Sequence, residues 1–193
     1  MQCIYDMATY PQCQKLMREE IRKAIEPEGR LTLEKLTLLV SVDSFMKEVI
    51  RLRPGTLVVM ARKAVREVRL SDGLVIPQGV TVAMPSFALN QDPQKFGADA
   101  AEFKPFRFVD ETNRSPASLS FESTLGPGLD FGYGKASCPG RHLALWTIKV
   151  ILARFILGYE VQLKPGTQRP ASIDAGVHKI ADLEGRILCR KLS

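Results

Sequence analysis

The sequence predicts an α+β chain, and three features carry that expectation. Apolar residues recur at helical spacing over residues 1–53, β-branched residues alternate between turn signals over 54–89, and a glycine-rich loop leads into a long apolar helix over 131–158. With 193 residues, 45% of them hydrophobic and 25% charged, the chain lies in the globular range and can bury roughly 70% of its unfolded surface.

A short amphipathic helix over residues 4–9 stops at Tyr10-Pro11, and Pro11 suits the first turn of the next helix. That helix runs to Ile25 with Leu16, Met17, Ile21, Ala24 and Ile25 on one face, and the turn from Pro27 to Gly29 ends it. A third helix extends from Val42 to Leu52 and stops at Pro54-Gly55. The turns Ser71-Asp72-Gly73 and Pro77-Gln78-Gly79 divide the β region into a small antiparallel meander. Residues 90–130, with prolines at 93, 105, 116 and 127, exceed an ordinary loop, so the segment is expected to be functional or packed across a surface. The helix over 139–157 takes Gly158 as its C-cap, and residues 159–193 form one or two hairpins with a turn at Asp174-Ala175-Gly176.

No apolar run reaches the roughly 18 residues that a membrane span needs, and the start MQCIYDMATYP lacks a basic leader. The four cysteines, Cys3, Cys13, Cys138 and Cys189, show no CxxC pairing, which fits a reducing, cytoplasmic setting for the chain as written. The formal charge is +6, but the 27 Lys and Arg form no run and no aromatic-interleaved stripe. No nucleic acid partner is therefore expected, whereas a basic face for an acidic protein is compatible.

Residues 131–145 read FGYGKASCPGRHLAL. Three glycines crowd one cysteine, and because glycine costs backbone entropy, something is expected to approach the backbone closely there. Cys138 stands directly before Pro139, at the expected N-cap of the long helix, where free N–H groups and the helix dipole favour an anion. A metal ligand, a nucleophile and a buried structural thiol are all open to it. A nucleophile could use His142, one turn on, as base, but no third orienting group is evident. A zinc site would need His142 with His178 and Cys189 from a separate hairpin region. An axial thiolate to haem iron needs a single cysteine, since the porphyrin supplies four ligands, and gives Gly132, Gly134 and Gly140 a role as clearance for a planar ring.

Phe131, Gly134, Cys138 and Gly140, spaced F-x-x-G-x-x-x-C-x-G, resemble the haem-binding loop of the cytochrome P450 monooxygenases. The resemblance implies that Cys138 is the axial ligand of haem b and that Phe131, Gly134, Lys135 and Gly140 surround the cofactor. The family usually has Arg or His two residues before the cysteine; Ala136 stands there in this chain, leaving Lys135 and Arg62 to meet the haem propionates. Glu48 and Arg51, three apart on one helical face and leading into Arg51-Leu52-Arg53-Pro54, look like the family's E-x-x-R of helix K. FKPFRF over 103–108 resembles its P-x-R-F segment, implying that Arg107 completes a buried Glu48, Arg51, Arg107 cluster.

The fold so implied is the C-terminal part of a mainly helical P450 domain, with helices J, K and L and small antiparallel sheets, and incomplete. The oxygen-activating helix, the distal roof and a membrane anchor would precede Met1, and full-length relatives would sit on the endoplasmic reticulum. Leu57, Val58, Val59 and Met60, with the turn from Ala175 to His178, would line the substrate side. The sequence style looks most like fungal members that oxidise terpenoids or other secondary metabolites. The implied reaction inserts one oxygen atom from O2 into a small apolar substrate. Electrons would come from NADPH through a reductase docked on a basic face of Lys135, Arg141, Lys149 and Arg154. The alternative is a truncated, inactive haem-binding or vestigial fragment.

Overall fold

The computed structural model describes residues 1–26, 28–109, 121–124 and 128–192; Pro27 of the expected turn, and Pro116 and Pro127, lie outside them. Four helices build the core: α1 (Gln2–Thr9), α2 (Gln12–Ile25), α4 (Val40–Leu52) and α7 (Arg141–Gly158), with the short α3 (Leu33–Thr37) against α2 and α7. Two single-turn helices, α5 (Ser86–Leu89) and α6 (Pro93–Phe96), lie between α4 and α7 in the chain, and small antiparallel sheets flank the core. The α+β class expected from the sequence is the one observed.

Helix α2 buries Cys13, Met17 and Ile21, one turn apart, so each falls on the same line of the helix surface. Leu16, assigned to this face from the sequence, is instead 46% exposed, and Gln14 takes the buried position. The reason is polar. Gln14 Nε2 donates to the carbonyls of Met7 (3.1 Å) and Val161 (2.7 Å), and its Oε1 accepts from Val161 N–H (3.0 Å), so a buried amide joins α1, α2 and strand β5 (Tyr159–Gln162) with its capacity used.

Helix α4 is buried on nearly every side, and it begins at Val40, two residues before the expected start. Its cap comes from another element: the Glu20 carboxylate of α2 accepts from the backbone N–H of Ser41 (2.8 Å) and Val42 (3.2 Å). A matching contact closes α7, where Arg18 of α2 donates to the carbonyls of Ile156 (2.8 Å) and Tyr159 (3.0 Å). Helix α7 starts at Arg141 rather than 139, with Gly140 as N-cap, and Gly158 is its last helical residue while Tyr159 caps it in extended conformation. The helix itself carries apolar residues on several faces, more than its neighbours cover, so Leu143 and Ile151 are exposed while Leu145, Leu152, Ala153 and Ile156 are buried.

The meander expected over 54–89 is a nested hairpin. Strand β1 (Val59–Lys63) pairs with β4 (Thr81–Met84), and β2 (Val68–Arg69) pairs with β3 (Val75–Ile76) inside them. Only the turn at 71–73 reverses the chain. At the second turn Pro77 has no N–H to continue the ladder, so the returning arm kinks, with Val80 N–H on Pro77 O (3.3 Å), and pairing resumes at Gly79 N–H to Ala64 O (2.8 Å).

Two more pairings finish the fold: β5 with β8 (Leu188–Lys191), and the hairpin of β6 (Ser172–Ala175) and β7 (His178–Ala181). Tyr5 of α1 fastens this end by donating to Asp182 O at 2.5 Å. A Cβ at Gly185 would lie 2.6 Å from both the Tyr5 hydroxyl and Pro170 Cβ. Gly185→Ala is expected to cost about 1–3 kcal/mol, read as a lowered urea midpoint.

Candidate functional site

The cysteine loop is built by backbone conformation. Gly132 and Gly134 have φ of 74° and 63°, in the left-handed region where a Cβ is strained, and they turn the chain twice within three residues. Between them Tyr133 is extended, and Gly134–Ala136 forms one 3-10 turn closed by Ser137 N–H on Gly134 O (3.1 Å). Cys138 N–H then donates to Phe131 O at 2.8 Å, closing the loop at its base. Phe131 anchors it from below, edge-on to Phe121 with centroids 5.2 Å apart.

Cys138 is exposed and lies two residues before the α7 N-cap, where the sequence had put it at the cap itself. Its carbonyl accepts from Arg141 Nη1 at 2.9 Å. A Cβ on Gly140 would come no nearer than 3.9 Å to its sulfur, and one on Gly134 would meet nothing within 4 Å. The loop thus has room at Gly134, beside an exposed Cys138. Lys135 and Ala136 are exposed on the same loop, and Arg62, on β1, is exposed with its guanidinium on Ala61 O (2.8 Å).

The structure brings Glu48, Arg51 and Arg107 together. Glu48, fully buried, accepts from Arg51 Nε (2.7 Å) and Nη2 (2.8 Å), from Arg107 Nε (3.1 Å) and from the backbone N–H of Lys104 (2.9 Å). Arg51 spends its remaining donors on the carbonyls of Asn90, Ala100 and Glu102, and its guanidinium lies 4.9 Å from the Phe96 ring. Asp99, which the sequence reading did not single out, joins by accepting from Arg107 Nη1 at 2.6 Å. Hydrogen bonds from Lys104 and Arg107 hold its carboxyl down at about 2. Nothing local marks Asp99; only the folding back of 97–108 on α4 reveals it.

Leu57, Val58, Val59 and Met60 are all half-buried, and Met60 has a φ of 55° at the irregular register between Val59 and Arg62. Residues 55–57 lie along 177–179: Leu57 N–H meets Val177 O (2.7 Å), Lys179 N–H meets Gly55 O (3.1 Å), and Thr56 bridges His178. Of the four cations expected on a basic face, Lys149 is not there. It is 3% exposed, with Nζ 3.4 Å from Asp43 Oδ1 and donating to Leu36 O (3.2 Å), because its position on α7 turns toward α3 and α4. Lys135 and Arg154 remain exposed and Arg141 half-exposed. Among the described residues, no three His, Cys, Asp or Glu side chains gather as a metal site, so the zinc alternative finds no set of ligands there.

Residues 1–183 match the family model described as Cytochrome P450. The chain belongs to the cytochrome P450 family. It is 35% identical over 184 residues to cytochrome P450 monooxygenase BOA4 of Botryotinia fuckeliana, covering 94% of this chain and 37% of that protein. It is 34% identical to cytochrome P450 monooxygenase AN1598 of Emericella nidulans (98% and 36% covered) and 32% identical to olcJ, another of that name, of Penicillium canescens (97% and 35%). The chain therefore spans little more than a third of these fungal relatives. Membership of the P450 family implies a haem-thiolate cofactor. Among the described residues, no helix of this P450 chain is long and apolar enough to cross a membrane.

Proposed function

We propose that Cys138 is the axial thiolate ligand of haem b in a monooxygenase that inserts one oxygen atom from O2 into an apolar organic molecule, a terpenoid or other secondary metabolite. The observation that carries this reading is the exposed Cys138 on a loop whose shape two left-handed glycines and the Phe131–Cys138 hydrogen bond fix. The donor set fits: a single accessible thiol suits a metal whose four further ligands come from a macrocycle.

Bound there, haem supplies the oxygen activation, with thiolate ligation favouring O–O cleavage. The chain's own residues do the rest. The base of the loop holds the sulfur in place, and Phe131, Gly134 and Gly140 leave room beside it. Lys135 and Arg62 supply cations for the propionates in place of the side chain that Ala136 lacks. The half-buried row from Leu57 to Met60, braced by residues 177–179, presents an apolar wall that holds substrate and excludes water. Lys135, Arg141 and Arg154 offer a basic surface to an acidic reductase that brings electrons from NADPH.

The test is the ferrous carbon monoxide spectrum of the chain supplied with haem. A strongly red-shifted Soret band is expected, and Cys138→Ser is expected to remove it while the far-UV circular dichroism stays unchanged. Failure to bind haem, or a band untouched by the substitution, overturns the assignment. A normal spectrum without substrate turnover supports the non-catalytic haem-binding alternative.

A further inference from the structure

Away from the cysteine loop, a cleft of about 310 Å³ opens between the C-terminal end of α4 and the β6–β7 hairpin. Three cations line it: Arg53, Arg169 and Lys179. Their side chains are only 25%, 13% and 16% exposed, so the charges are held in the wall rather than waving in solvent. Among the described residues, two carboxylates pair with these cations, and both are already engaged. Asp6, fully buried, takes a two-pronged contact from Arg169 at 2.6 and 3.1 Å, and Asp174 accepts from Lys179 Nζ at 2.5 Å. The cluster carries one positive charge in excess: three cations, Arg53, Arg169 and Lys179, against two anions, Asp6 and Asp174.

Arg53 holds that excess. Its Nη2 is 3.8 Å from the Asp6 carboxylate, beyond hydrogen-bond distance, and its one hydrogen bond among the described residues runs from Nη1 to Leu52 O at 3.1 Å. A guanidinium has five donors, so four on Arg53 meet no acceptor among the described residues. Burial, with Arg169 adding its repulsion, pulls its pKa below the usual value, although Asp6 partly offsets this. Ser172 also lines the cleft: its hydroxyl accepts from Gln2 Nε2 at 3.0 Å and keeps its own proton to donate. Lys179 has two further N–H groups, and its ammonium lies 5.6 Å from the Phe87 ring. Leu52, Phe87 and Pro170 make the remaining wall apolar.

We infer that this cleft binds the carboxylate of a small amphipathic acid, with Arg53, Lys179 and Ser172 on the carboxylate and Leu52 and Phe87 on the apolar body. A planar guanidinium with a free edge matches a carboxylate in two parallel hydrogen bonds, and the apolar wall distinguishes an organic acid from a bare inorganic anion. Because Lys179 N–H is bonded to Gly55 O, the cleft shares its hairpin with the wall proposed for substrate. An acid seated there would brace that hairpin from outside.

Calorimetric titration of the full chain with hexanoate, hexanol and inorganic phosphate tests this. Hexanoate is expected to bind at least about tenfold more tightly than either other probe, and Arg53→Gln and Lys179→Gln each to weaken it about tenfold or more. Should Arg53→Gln unfold the chain, Lys179→Gln, in the exposed hairpin, decides the matter. Hexanol or phosphate binding as tightly as hexanoate, absence of saturable hexanoate binding at millimolar concentration, or unchanged affinity in a folded variant overturns the inference. The titration needs no haem, so its outcome is separate from the carbon monoxide spectrum.

Discussion

Glu48→Ala is expected to destabilise the chain by about 3–5 kcal/mol, a large share of the roughly 5–15 kcal/mol that holds a domain folded. Glu48 is fully buried and accepts four hydrogen bonds, from Arg51 twice, from Arg107 and from the backbone of Lys104. Its removal leaves a fully buried Arg51 without its carboxylate, frees the Lys104 N–H and unties the 97–108 segment from α4. The companion Arg107→Ala is expected to cost less. Arg107 is 10% exposed at the side chain, and Arg51 still neutralises Glu48 when it is lost. Urea unfolding of both variants gives the order. Equal midpoints for Glu48→Ala and the parent chain would show that the cluster contributes nothing net. A haem-free measurement suffices, since the cluster acts on the fold.

Lys149→Met is expected to cost about 3 kcal/mol near neutral pH, with a deficit that shrinks in acid. Burial raises the Asp43 carboxyl above its usual value of 3.8, and Lys149 is the largest influence pulling it back down. An acid whose folded pKa is raised stabilises the fold below its unfolded value, about 4, and that contribution is lost as pH rises through the folded value. Without Lys149 the folded value moves higher, and Asp43 ionises beside Glu122 with no cation to meet it. Urea midpoints of parent and variant should therefore converge toward about pH 4 and separate toward about pH 8. A gap that is constant with pH would show that the lost packing of the lysine stem, rather than the charge, is what the substitution removes.

Lys149 also shows where a sequence reading stops. A lysine eight residues after Arg141 and five before Arg154 on a long helix reads as part of a solvated basic stripe, and one buried partner, Asp43 on α4, reverses that reading. The same holds for Leu16, displaced from the core by a glutamine that satisfies three backbone groups at once. Helix α4 starts early because Glu20, some twenty residues upstream, caps it. The hairpin nests because Pro77 interrupts the ladder without reversing the chain. Each difference comes from a contact between residues distant in sequence, which local periodicity does not encode.

By itself the sequence determined the α+β class, the main helices, the loop around Cys138 and, through three ordered motifs, membership of the P450 family. These follow from spacing along the chain: helical period, turn residues, and glycines on either side of a cysteine. Only the tertiary structure decided which charges are buried and which remain free. It put Asp99 beside Arg107, enclosed Lys149 with Asp43, and left Arg53 in a cleft with most of its donors unmet among the described residues. The physical reason is that the cost of a buried charge depends on the partner that folding brings to it, and that partner is chosen by packing rather than by neighbours in the chain.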